Sequence, residues 1–199
     1  LFFLAVTFFP FLREERSGVL LLLAIEFILS RGLHWDGWSD TWDAIGALPK
    51  GKGFALQVLK DPRIGIFGGF FLGMNLLFKL ELLWGIPPTG FLLYPPAGML
   101  GILLPMGTLR YLRQQGTASA YTDRRSPLIA FGILFLSLLF VIVFFSPRFI
   151  LPLILTTAGL LLSTFYLRKT FGGYTGDLLG WSHELGVLIF IAGFRGFDH

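Results

Sequence analysis

Three aspartates, Asp36, Asp40 and Asp43, recur at i, i+4 and i+7 within the run Gly32-Leu33-His34-Trp35-Asp36-Gly37-Trp38-Ser39-Asp40-Thr41-Trp42-Asp43. On a helix that spacing lines them along one face. Like charges so placed repel one another, so the row gains a physical reason only if a cation sits among them. A divalent ion such as Mg2+ takes one or two carboxylates together with waters and substrate phosphates, and Gly37 leaves the backbone open to close approach. The plainer alternative is an acidic helix face in water. Trp35, Trp38 and Trp42, which alternate with the carboxylates, read most simply as anchors at a membrane surface.

Two other segments carry complementary chemistry. Lys60-Asp61-Pro62-Arg63-Ile64-Gly65 places two cations beside a carboxylate; Arg63 can grip a phosphate through paired donors and Lys60 can act as a point charge, with a simple positive anchor as the competing explanation. Further on, Gly172, Gly173 and Gly176 surround Thr175 in a bend that can turn backbone N–H groups toward an anion, or be no more than a turn. Asp177 and Glu184 follow at i and i+7. Asp36, Asp40, Asp43, Asp61, Asp177 and Glu184 make up half of the 12 acidic residues. Carboxylates for a metal, cations for phosphate and glycine bends beside them together describe phosphoryl-group transfer, in which positioning and charge neutralisation do most of the catalysis.

The elements that must hold these groups are apolar. Of the 199 residues, 54% are hydrophobic and 14% charged, a balance that excludes an ordinary soluble domain. A bilayer crossing needs about 20 apolar residues as a helix. Ile64 to Trp84, Pro88 to Leu109, Leu128 to Phe145 and Phe149 to Leu167 meet that length, and Gly18 to Leu33 and Leu178 to Phe194 are shorter or more polar at one end. Leu1 to Leu12 opens without Met and without a basic segment before its apolar residues, so a truncated start is expected rather than an intact signal peptide.

No alternating barrel pattern appears, and a spanning backbone must satisfy its own hydrogen bonds; the expected class is an all-α polytopic membrane bundle of about six spans, forming one domain over residues 1–199. The 23 phenylalanines suit lipid contact and helix packing. The absence of cysteine excludes disulfides and thiolate metal sites, leaving oxygen or imidazole ligands.

Basic residues gather in three loops: Lys50, Lys52, Lys60 and Arg63; Arg110, Arg113, Arg124 and Arg125; and Arg168 and Lys169. The short turns near Trp84 to Thr89 and Ser146 to Arg148 carry little charge, so the basic loops are expected on the cytoplasmic face, with Arg13 and Arg16 outside beside Glu14 and Glu15.

From Arg31 to Gly193 the chain resembles the cobalamin synthase family, adenosylcobinamide-GDP ribazoletransferase. Leu33-His34-Trp35-Asp36-Gly37 through Asp40 and Asp43 is similar to its Leu/Phe-His-x-Asp-Gly segment followed by two aspartates. Lys60 to Gly65 resembles its Lys/Arg-Asp-Ser-Arg-Leu/Ile-Gly, and Gly172 to Asp177, with Gly180 and Glu184, resembles its Gly-Gly-x-Thr-Gly-Asp-x-x-Gly closing motif. The chain departs from the pattern in having Ala44 after Asp43, Pro62 in place of Ser, and no Arg near Met99.

The resemblance implies a transfer joining adenosylcobinamide-GDP to α-ribazole 5′-phosphate, or α-ribazole, with release of GMP, at a bacterial or archaeal cytoplasmic (inner) membrane. It implies Mg2+ as cofactor, held by Asp36, Asp40 and Asp43 with Asp61, Asp177 or Glu184 completing the site. Lys60, Arg63 and Lys169 would neutralise phosphate, and Asp43, or else His34, would take the hydroxyl proton; His34 reads more simply as a group that orients Asp36. No nucleic-acid partner is expected, the surroundings are membrane lipid, and oligomerisation is left open.

Two rivals were weighed. A CDP-alcohol phosphotransferase also spaces aspartates along a helix, but it places Ala-Arg three residues after its Asp-Gly glycine, where this chain has Trp38-Ser39-Asp40-Thr41 after Gly37. A transporter would bury charge near the midplane. Among the apolar runs only Glu26, Lys79 and Glu81 are charged, and Lys79 and Glu81 lie where they are expected to snorkel toward a span end.

Overall fold

The computed structural model describes residues 14–113, 125–145 and 147–196. Eight α-helices run through them: α1 (Arg16–Leu29), α2 (Leu33–Ala47), α3 (Lys52–Val58), α4 (Ile66–Leu83), α5 (Pro88–Thr108), α6 (Arg125–Phe145), α7 (Ile150–Thr170) and α8 (Gly176–Arg195). The last five are long and apolar enough to cross a membrane. The α1 and α2 pair passes the same test only when taken together, bent by 88° at its break, as a broken span or a re-entrant loop. The described residues thus hold five helices able to span, or six with that pair, in keeping with the expected all-α membrane bundle of about six spans. The segment Leu1 to Leu12 and the residues Arg13 and Arg124 lie outside them.

The bend has a local cause. Arg31 (φ 53°) and Gly32 (φ 68°) both adopt the left-handed region, which ends α1 and redirects the chain into α2. The run expected from Gly18 to Leu33 thus stops at Leu29, short of a full crossing, and the aspartate-bearing helix follows at a sharp angle.

Helix α8 is the hub, packing against α2, α4, α5 and α7. Its inner face, with Val187, Phe190, Ile191 and Phe194, joins Leu93, Ala97 and Leu100 of α5 and Leu153 and Leu160 of α7 in one core. On α6, by contrast, Ile129, Ile133, Leu136, Phe140 and Phe144 are exposed, as suits a helix facing lipid.

The loops sort to two ends. At one, Arg195 Nε donates to Leu82 O (3.1 Å), Arg16 pairs with Glu81 (3.1 Å) and Trp84 Nε1 donates to Glu14 O (2.6 Å). At the other, the segment after α5 pairs with the segment before α8: Tyr174 N donates to Arg110 O and Leu112 N to Tyr174 O, both at 2.9 Å. The basic loops meet at this second end.

Two sequence expectations need correction. The tryptophans of α2 are packing residues between helices rather than surface anchors: Trp38 is buried and donates Nε1 to Phe71 O (2.9 Å), and Trp42 stacks on Phe71 at 3.8 Å. Lys79 does not snorkel. It is fully buried, with its ammonium 2.7 Å from Glu26 and 2.9 Å from Glu184, because two carboxylates from other helices supply its counter-charge where water cannot. Glu81 alone behaves as expected, half exposed beside Arg16.

Candidate active site at the basic end

Helix α2 forms over Leu33–Ala47, so Asp36, Asp40 and Asp43 do share a face. What aims that face is a crossing of glycines. A Cβ on Gly37 would meet the carbonyl oxygen of Asp177 at 2.5 Å, and one on Gly180 would stand 3.2 Å from the Gly37 Cα. Bare backbone on both helices lets α2 lie directly on the first turn of α8, which brings Asp177 alongside the α2 carboxylates.

The result is a concentration of negative charge. Asp40, half buried, faces Asp36, Asp177 and Asp43 as like charges, with Arg113 as the opposing one. Arg113 donates Nη2 to Asp177 Oδ2 (2.6 Å) and to Leu59 O (2.8 Å). This arginine was read from the sequence only as part of a positive loop; nothing local in its neighbourhood distinguishes it from Arg110. Asp36 is exposed, and no hydrogen bond or ion pair engages the carboxylate of Asp36 or Asp40 among the described residues.

Asp43 is differently employed. Its Oδ2 accepts from Gly65 N (2.7 Å) and its Oδ1 from Gly68 N (2.8 Å), so the carboxylate closes the amino end of α4, where backbone N–H groups lack partners and the helix dipole favours a negative charge. Side chains at Gly65 and Gly68 would collide with that carboxylate, which explains both glycines. Asp43 therefore stands beside the other aspartates with both oxygens already serving as acceptors.

Asp61 and Arg63 form a two-pronged pair on the surface, Nε to Oδ1 at 2.9 Å and Nη2 to Oδ2 at 2.7 Å. Those bonds hold the Asp61 carboxyl down to about 2, and they raise Arg63 above its ordinary value. Together with Asp43, Val58, Ile64 and Gly65 they line a cavity of about 380 Å3 open to solvent. Lys60 is exposed nearby in sequence.

The glycine bend is also built for specific contacts. Gly172 takes φ 77°, and a Cβ at Gly173 would run into Arg110 O, the acceptor of the Tyr174 N–H. Thr175 caps α8, its hydroxyl accepting from Leu178 N at 3.3 Å, and Gly176 begins the helix. Lys169 is exposed in the last turn of α7.

His34 and Glu184 belong to a second, interior cluster. His34 stacks on His183 at 3.8 Å between ring centres. It also lines, with Tyr94, Met99 and His183, a mostly apolar cavity of about 490 Å3. His183 Nδ1 lies 3.3 Å from Glu184, whose other oxygen takes Lys79 (2.9 Å) and Asn75 Nδ2 (2.9 Å). Glu26 receives Lys79 and the Tyr94 hydroxyl (2.9 Å). Glu184 thus stands with the interior cluster and not with the aspartates: its oxygens face Lys79, Asn75 and His183, and with His34 and His183 it forms a group whose potential metal-ligand atoms lie within 4.8 Å of one another. His34 likewise faces that core and not Asp36.

What remains at the basic end is a set of hard oxygen donors, Asp36, Asp40 and Asp177, short of counter-charge. The described imidazoles, His34 and His183, sit in the interior cluster, and the chain contains no thiol. Carboxylate oxygens suit a hard cation such as Mg2+, although among the described residues Asp36, Asp40 and Asp177 do not gather their oxygens as closely as His34, His183 and Glu184, whose ligand atoms lie within 4.8 Å of one another.

Comparison with known proteins agrees with the motif resemblance. The family profile described as cobalamin-5-phosphate synthase matches residues 1–195. Proteins named adenosylcobinamide-GDP ribazoletransferase are similar to the chain over most of its length. Those of Clostridium botulinum (strain Loch Maree / Type A3) and Desulfitobacterium hafniense (strain Y51) are each 32% identical, over 87% of this chain and 71% of the relative. That of Citrobacter koseri is 32% identical over 82% of this chain and 69% of the relative. No solved structure matches.

Proposed function

The chain belongs to the cobalamin-5-phosphate synthase family, and from that premise we propose that it joins adenosylcobinamide-GDP to α-ribazole 5′-phosphate, releasing GMP and forming adenosylcobalamin 5′-phosphate, in the cytoplasmic membrane. The observation that carries this reading is the convergence of Asp36, Asp40 and Asp177 with Arg113 at the end of the bundle where the Arg63 cavity and the glycine bend also open.

The reaction exchanges one P–O bond for another. A ribose hydroxyl oxygen of the acceptor attacks the phosphorus attached to the cobinamide side chain, the bond from that phosphorus to the bridging oxygen breaks, and GMP departs with that oxygen. The hydroxyl proton leaves to a base. Two anionic substrates must approach one another, so the protein's part is mainly to lower their mutual repulsion and align them.

Asp36 and Asp40 are the residues to hold Mg2+, with Asp177 beside them and Asp43 supporting through α4. Bound there, the ion would neutralise the diphosphate and polarise its phosphorus–oxygen bonds. Arg63 and Lys60 suit the diphosphate oxygens; when phosphate arrives, Arg63 exchanges its exposed pairing with Asp61 for it at little cost, since solvent screens such ion pairs. Asp40 is better placed than Asp43 to accept the hydroxyl proton, because its oxygens are not engaged by backbone donors.

The test is direct. Full-length protein in detergent or liposomes, given both substrates and Mg2+, should release GMP, and chelation of the metal should stop it. No release under those conditions, with CDP-alcohol turned over instead, would overturn the reading.

A further inference from the structure

Lys52, the first residue of α3, and Arg110, just past α5, were not singled out by their sequence surroundings, yet both reach the same glycine. A Cβ built on Gly172 would lie 2.8 Å from Lys52 Nζ and 3.8 Å from Arg110 Nη2. Arg110 Nε also donates to Gly172 O at 3.1 Å. An ammonium and a guanidinium are therefore gathered around one bare α-carbon, and both are exposed.

Neither has a carboxylate partner among the described residues, whereas Arg113, three positions after Arg110, is bound to Asp177. Like charges brought together without counter-charge repel, and an anion between them reverses the sign of that interaction. The arrangement is rigid on one side, since the Arg110 carbonyl and the Leu112 N–H are both bonded to Tyr174. Gly172, at φ 77°, keeps the space beside the two cations clear.

This inference rests on the ribazoletransferase reading for the identity of the anion. The donor's diphosphate has to reach the aspartates and the Arg63 cavity. The acceptor brings a phosphate monoester of its own that takes no part in bond exchange, and it needs counter-charge away from the reacting phosphorus. Arg113 is bonded to Leu59 O and Asp177, so it compensates a carboxylate, whereas Lys52 and Arg110 are left with charge to spare for an anion. We infer that Lys52 and Arg110 hold the 5′-phosphate of the acceptor, and that through them the enzyme prefers α-ribazole 5′-phosphate to α-ribazole.

Steady-state assays with the two acceptors test this. Wild type should show a lower KM for the phosphorylated acceptor, and Lys52→Ala should collapse the preference by about tenfold or more, the scale of one lost charge-assisted hydrogen bond. Lys52→Arg should restore much of it. An equal change in KM for both acceptors, or no change for either, would overturn the assignment, as would a wild type without preference.

A binding measurement separates this from failure of the parent reading. Inorganic phosphate titrated into the solubilised full chain, followed by 31P line broadening, should bind wild type and lose affinity in Lys52→Ala. Wild type that releases no GMP sinks the ribazoletransferase reading, whereas wild type that binds phosphate no better than Lys52→Ala sinks the anion site.

Discussion

The protein keeps two groups of carboxylates under opposite regimes. In the interior, Glu26 and Glu184 are matched directly: Lys79 lies between them, Asn75 shares its Glu184 oxygen, and Tyr94 and His183 face the two remaining oxygens. At the basic end, Asp36, Asp40 and Asp177 crowd one another with a single guanidinium for compensation. Where helices enclose it, a carboxylate survives only with fixed partners, and it then serves to join helices. Where water and solutes have access, a shortage of partners can persist, and the shortage is what makes the site receptive to a cation. The same side-chain type thus locks one region and leaves the other ready for a ligand.

The contrast is broken most severely by removing charge from the unmatched group. Asp40→Asn should reduce turnover more than about 100-fold, beyond what losing an outer partner of a metal ligand costs. It should also abolish the rise in melting temperature that Mg2+ gives wild type, measured by thermal unfolding in detergent. The matched group responds in stability instead. Lys79→Met strands the buried carboxylate of Glu184 and the half-buried one of Glu26, and should destabilise the fold by about 3–5 kcal/mol, seen as loss of the monodisperse detergent-solubilised species on heating. A Lys79→Met protein of wild-type stability would show that the interior pairs are not structural.

Asp43 tests the border between the two regimes. If it acts chiefly as the cap of α4, Asp43→Asn, which keeps one acceptor oxygen, should cost less than about 1 kcal/mol in unfolding and reduce turnover far less than Asp40→Asn. Equal losses of turnover in the two variants would make Asp43 a chemical participant.

The mildest effect is expected at Asp61. Its carboxyl is held down to about 2 by Arg63, so the pair is intact at neutral pH, its contribution to stability is full above the ordinary carboxylate value of about 4, and it is lost as pH falls from there through about 2. Carboxyl 13C shifts should report a titration in that window, and Arg63→Gln should move it upward.

These roles were unevenly legible in the sequence. The spans could be read because about 20 apolar residues between polar breaks is a constraint imposed by the bilayer itself. The face shared by Asp36, Asp40 and Asp43 was equally legible, being a matter of helical period. The division of labour among carboxylates was not. Asp43 as a cap depends on where α4 begins, 23 residues later, and Glu184 as a partner of Lys79 depends on a contact between α4 and α8. Arg113, Lys52 and Arg110 were visible only as positive charge in loops, since their distinct partners come from segments far along the chain.

The glycine crossing of α2 and α8 also sets an order of events during biogenesis. Asp36 emerges from the ribosome well over a hundred residues before Asp177, yet the surface that Gly37 must touch belongs to the final described helix. Asp43 can dock on the amino end of α4 early, but Asp36 and Asp40 gain Asp177 as a neighbour only once α8 is in place, so a chain that stops short of α8 lacks part of the centre.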